Sequence, residues 1–145
     1  MKRIFVALDG SPRAPQVLAA AVRLGELTGA QLVLYRAISV TPDLPREAFA
    51  PFIGADTRLE DFLIHSARHE LSRLAETVAP GRIEQLVVGF AIPWDGICRE
   101  ARERDADLIM IGSHGYGGID RLLGTVAAKV VNHADRNVLV VRTAL

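Results

Sequence analysis

Leu108-Ile109-Met110-Ile111-Gly112-Ser113-His114-Gly115-Tyr116-Gly117-Gly118-Ile119-Asp120-Arg121-Leu122-Leu123-Gly124-Thr125 is the stretch on which the reading of this chain turns. A continuous apolar run of strand length stops at Gly112, glycines punctuate the next dozen residues, and Gly124-Thr125 opens an apolar segment of helical spacing that ends at His133. Glycine takes positive φ at no steric penalty and lets the backbone approach a ligand closely. The N–H groups of Thr125, Val126 and Ala127 would open the helix without intrahelical acceptors, and a helix N-terminus attracts anions. Strand, glycine loop and helix together predict an anion pocket in an α/β protein.

The same alternation recurs along the rest of the chain. Ile4-Phe5-Val6-Ala7-Leu8 is a short apolar strand ended by Asp9-Gly10. Ser11-Pro12 supplies a capping hydroxyl and an N1 proline ahead of a helix over residues 15–27, which Gly29 closes. Leu32-Val33-Leu34-Tyr35 is apolar without alternation, the pattern of a parallel strand buried on both faces. Between residues 39 and 56 Pro42, Pro45, Pro51 and Gly54 break the periodicity, which predicts a long connection able to cover a site or a partner. Leu59, Phe62, Leu63, Ala67, Leu71, Leu74 and Val78 keep to one helical face before Pro80-Gly81, and Ile83 to Val88 follows as a third strand. Pro93 begins a helix with Trp94, Ile97, Cys98 and Ala101 on one face, and beyond the glycine loop Val138 to Val141 is the fifth strand. Five strands alternating with four helices predict one α/β domain over residues 1–145: an open, mostly parallel, doubly wound sheet of Rossmann-like type.

Composition narrows the partners. Of 145 residues half are hydrophobic, enough for one real core. Acidic and basic residues balance at 17 each, so neither nucleic acid nor an anionic membrane is expected to bind by bulk charge. Cys98 is the single cysteine, no cationic stretch with an apolar run follows Met1, and no apolar run reaches bilayer-spanning length. A cytoplasmic protein is expected.

In open parallel sheets ligands bind beyond the carboxyl ends of the strands, where strand order reverses. Three segments arrive there: residues 7–11, residues 37–39 and the glycine loop. Asp9 is suited to accept hydrogen bonds from a ribose or an adenine edge, Ile38 to offer main-chain groups to a base, and the loop to hold phosphates. That division of labour suits a nucleotide. A helix N-terminus contributes about 0.3 to 1 kcal/mol toward an anion, whereas micromolar affinity needs about 8 kcal/mol, so base and ribose must supply much of the rest.

The order of strand, Asp9-Gly10-Ser11, helix, then Gly112-Ser113-His114-Gly115, a spacer, Gly124-Thr125 and a closing Val138-Leu139-Val140-Val141-Arg142 resembles the universal stress protein family over the whole chain. The resemblance implies a five-stranded fold like that of the adenine nucleotide alpha hydrolases and a homodimer formed through the C-terminal strand, residues 138–142. In one subclass it also implies ATP held by a Gly-x2-Gly-x9-Gly-Ser/Thr loop. Carried onto this chain, Asp9 would contact the adenosine part, Gly112 and Gly115 would line the ribose and phosphate path, Gly124 and Thr125 would hold phosphates, and Val126 would add a backbone N–H. Between Gly115 and Gly124 stand eight residues, Tyr116 to Leu123, where the family pattern has nine. His114 stands among these glycines and joins the candidate set, with an exposed loop histidine as the competing reading.

The expectation is therefore a regulatory module that binds ATP, or AMP or ADP, in a response to stress. Walker A is absent and the Gly-x-Gly-x-x-Gly fingerprint fails because Asp120 follows Ile119, so no catalytic residue is assigned. Two alternatives stay open. One is a dimeric interaction module without nucleotide, in which the shortened loop only connects elements and residues 39–56 or the last strand engage a partner. The other is a slow ATPase, with His114 or Asp9 assisting and Mg²⁺ bridging phosphates. Asp61, His65 and His69 have helical spacing but read as a solvated face, so no metal site is assigned to them. Cys98 reads as a packed thiol beside Trp94, and the mixed charges from Arg99 to Asp105 as a solvated helix end.

Overall fold

The computed structural model describes residues 1–39, 59–113 and 123–143. Within them β1 (Arg3–Ala7), β2 (Gln31–Ile38), β3 (Ile83–Phe90), β4 (Leu108–Gly112) and β5 (Asn137–Val141) alternate with α1 (Ala14–Thr28), α2 (Leu59–Ala75), α3 (Pro93–Glu103) and α4 (Thr125–His133). The sheet order is β3-β2-β1-β4-β5 and every pairing is parallel, where the sequence predicted a mostly parallel sheet. β1 is central: Ile4 pairs with Leu32 on one side and Leu108 on the other.

Side chains alternate across the sheet, and each face has its own helices. Ile4, Val6 and Leu8, with Leu32, Leu34 and Met110, pack against Val17, Leu18 and Ala21 of α1 and Leu71 of α2. Phe5, Ala7, Val33, Tyr35 and Ile109 face the other way, onto Ile97 and Ala101 of α3 and Ala127 and Val130 of α4. Both faces are covered, which is why the inner strands read as unbroken apolar runs rather than alternating ones. Each large side chain buried this way contributes about 1.5 to 3 kcal/mol relative to exposure. Phe5 and Tyr35 add a tilted ring contact with centroids 5.2 Å apart.

The cap of α1 and the end of α2 differ from the sequence expectation, and β2 and β3 run on to Ile38 and Phe90. α1 begins at Ala14 behind Arg13 as N-cap, with no side-chain capping bond, so Ser11 does not cap the helix and the proline of its first turn is Pro15 rather than Pro12. Asp9 Oδ1 instead accepts from the Ser11 N–H at 3.0 Å, and Ser11 Oγ accepts from the Arg13 N–H at 3.3 Å. These local bonds hold residues 9–13 in a turn that precedes the helix. The second helix stops at Ala75 and not at Val78; Val78 N–H donates to the Ala75 carbonyl in the turn leading to Pro80. Gly29 does close α1, at φ 77°, with its N–H donated to the Gly25 carbonyl at 2.8 Å. Among the described residues no helix is long and apolar enough to cross a membrane.

Candidate functional site

The chain leaves β1 toward β2 on one side, while β4 lies on the other, so strand order reverses between β1 and β4. Beyond their carboxyl ends lies a cavity of about 530 Å³. Asp9 after β1, Ile38 at the end of β2, Gly112 at the end of β4, and Gly124 and Val126 at the start of α4 all line it. Five of the eight residues singled out from the sequence thus surround one space. Thr125 begins α4 with an exposed side chain and is not one of its walls. His114, Gly115 and most of the residue 39–56 connection lie outside the described residues.

The phosphate-like end is built by backbone. Ser113 is fully buried; its N–H donates to the Val141 carbonyl at 2.9 Å and its carbonyl accepts from the Gly124 N–H at 2.8 Å. The two ends of the glycine loop are therefore tied together, and Gly124 is held at the mouth of α4. Gly124 is the N-cap at φ −59° and ψ 158°, with no side chain to occupy the free N–H groups of the first turn. The first intrahelical bond is that of Ala128 N–H to the Gly124 carbonyl at 2.9 Å. Gly112 lies close to α1, where a Cβ would stand 3.1 Å from Val17 Cγ2.

At the other end Asp9 spends one carboxylate oxygen on the Ser11 N–H, which leaves Oδ2 for another donor. The Ile38 carbonyl accepts from the Ala91 N–H at 3.2 Å, so one of its lone pairs is already used. Several lining residues went unnoticed in the sequence, among them Tyr35, Arg13, Arg36 and Glu70. Tyr35 is buried with its hydroxyl against Gly96, and burial pushes its phenol above the usual range. Arg36 bonds Glu70 of α2 and lays its guanidinium against Gly10. Arg13 lines the α1 side. An ionisable residue directly after the apolar run of β2 was the available signal for Arg36; Glu70 had none.

Elsewhere Asp61, His65 and His69 are exposed. Among the described residues no group of three or more metal-ligating side chains is assembled. Cys98 is part-buried, and burial raises its thiol pKa, as for a packed rather than a reactive sulfur.

A model of the universal stress protein family matches residues 1–142. The chain belongs to the universal stress protein family. Universal stress protein A homolog 1 of Coxiella burnetii is 30% identical over 141 residues, covering 97% of this chain and 95% of the relative. A universal stress protein solved in complex with cAMP superposes with a TM-score of 0.67 at 26% identity, covering 99% of this chain and 98% of that one. Another universal stress protein, from Archaeoglobus fulgidus in complex with dAMP, gives a TM-score of 0.55 at 27% identity and covers 97% of both chains. Both ligands of those proteins are adenine nucleotides.

Proposed function

We propose that this universal stress protein domain binds an adenine nucleotide, ATP foremost with AMP or ADP as alternatives, in the cavity at the β1/β4 switch point, and serves as a regulatory module of a cytoplasmic stress response. The observation that carries this reading is the cavity itself. Its volume of about 530 Å³ suits a nucleotide-sized ligand, and it joins a carboxylate, two strand ends and an uncapped helix N-terminus. Asp9 and Ile38 take the adenosine end. Gly112 and Gly115 line the ribose and phosphate path, and His114, Gly124 and the backbone N–H groups of Thr125 and Val126 take the phosphates, with Mg²⁺ as a bridging ion. The adenine nucleotides carried by two related proteins support the same ligand class.

A homodimer through β5 belongs to the same reading. β5 is an edge strand, and Leu139 on it is 37% exposed. The test is extraction of the purified protein with acid and identification of the released nucleotide by mass spectrometry. An adenine nucleotide is expected; an extract without nucleotide from protein that also fails to load ATP on incubation and gel filtration overturns the reading.

A further inference from the structure

The N-cap residue of α1 is a charged group outside the nucleotide-binding set proposed above. Arg13 lines the cavity, and its Nε is buried with no hydrogen-bond partner among the described residues. The other arginine on these walls is different: Arg36 is answered by Glu70. A guanidinium N–H that loses water without gaining an acceptor is unfavourable, and the imbalance is relieved by an acceptor that arrives with a ligand.

The direction of Arg13 follows from α1. Val17 N–H donates to the Arg13 carbonyl at 3.3 Å, so the helical repeat already runs from Arg13, and Val17 lies one turn further on the same face. Val17 Cγ2 packs against Gly112. Arg13 therefore stands one turn closer to the loop edge, over the end of β4 where the glycine loop departs. α1 and α4 cover opposite faces of the sheet, so Arg13 and the Gly124 to Val126 backbone flank that strand end from its two sides. A lone phosphate engages one of these positive poles, and a chain of phosphates engages both.

We propose that Arg13 is a phosphate-binding residue of this cavity and that it sets selectivity for adenosine polyphosphates over monophosphates and cyclic nucleotides. The proposal rests on the adenine-nucleotide reading for the base and ribose. Arg13 meets a phosphate oxygen through a charge-assisted Nε–H bond, and affinity rises with phosphate number.

The test is calorimetric titration of the nucleotide-stripped chain with ATP, AMP, adenosine and inorganic pyrophosphate, for the parent, Arg13→Gln and Arg13→Lys, with thermal melts of each. The parent is expected to bind ATP more tightly than AMP, and Arg13→Gln to lose about tenfold or more for ATP and pyrophosphate but under about twofold for adenosine. Arg13→Lys, which keeps the stem and the charge without the Nε–H, falls in between and gives the same comparison if the glutamine variant unfolds. Unchanged ATP affinity in a folded Arg13→Gln overturns the assignment and leaves nucleotide binding standing. Equal losses for adenosine and ATP also overturn it, because they mark a structural role. If adenylates do not bind while pyrophosphate does and Arg13→Gln loses it, the nucleotide reading falls and the role of Arg13 stands. A folded parent that binds neither overturns both.

Discussion

Gly96, in the first turn of α3, lies directly against the hydroxyl of Tyr35 on β2. A Cβ at this position would overlap that hydroxyl and stand 2.6 Å from Ala91 Cβ. Tyr35 is 1% exposed and lines the cavity, so the contact couples a core packing detail to the wall of the site. Gly96→Ala would gain up to about 1 kcal/mol of helix propensity, but overpacking of a fixed core costs typically about 1 to 3 kcal/mol. Because the Cβ meets two packed neighbours, the cost lies at the upper end of that range and the overlap wins: a denaturant midpoint should drop by an amount equivalent to a net loss of about 2 kcal/mol. A variant as stable as the parent would show that α3 shifts freely.

Gly124→Asp separates binding from folding. The backbone at Gly124, φ −59° and ψ 158°, is one that any L residue adopts, and an aspartate there becomes a helix N-cap. Its carboxylate occupies the N–H groups offered to a phosphate and adds a negative charge beside them. The expected outcome is a protein more stable by about a few tenths of a kcal/mol that no longer binds ATP, read by thermal melts and calorimetry side by side. Retained ATP affinity would remove α4 from the site.

Asp107 ties the start of the chain to the strand that feeds the site. Its Oδ2 accepts from the Lys2 N–H at 2.6 Å and the Arg3 N–H at 2.9 Å, and these bonds, that of Arg3 first, hold its carboxyl below the usual carboxylate range. A folded pKa below the unfolded one means stability that is full above the ordinary aspartate value and lost as pH falls through the folded value. Asp107→Asn should therefore be less stable than the parent at neutral pH, with the gap closing as the pH drops below about 4. A gap independent of pH between 7 and 2 contradicts this.

Leu139→Lys tests the edge. A lysine on an edge strand opposes pairing with a second copy, so sedimentation at tens of micromolar should show a dimeric parent and a monomeric variant of unchanged fold. A monomeric parent would remove β5 as a dimer surface.

Much of the fold was legible because both faces of the sheet are covered. Ile4–Leu8, Leu32–Tyr35 and Leu108–Ile111 are unbroken apolar runs for that reason, and Gly29 marks its helix end by its positive φ. The cap of α1 was misread because Asp9 captures the Ser11 N–H and Ser11 Oγ the Arg13 N–H, a competition between neighbours that propensity does not reveal. β2 extends through Arg36 and Ala37 because Val88 and Gly89 of β3 pair with them, a partner 52 residues away. The same distance problem hides strand order, since β1 pairs with β4 across most of the chain.

The site was legible where chemistry sits in backbone geometry. Asp9, Gly112 and Gly124 follow strands or precede a helix, and those positions converge by topology alone. Arg13, Arg36 and Glu70 were not, because their direction depends on tertiary packing: Arg13 on how α1 seats Val17 against Gly112, and Arg36 on which residue α2 turns toward β2.

Whether the cavity between Asp9, Ile38, Gly112 and Gly124 takes an adenine nucleotide is measured directly by calorimetric titration of the nucleotide-stripped chain with ATP. Saturable binding of one ATP per chain is expected. Absence of any binding heat at millimolar ATP, in protein whose melting curve shows it folded, contradicts it.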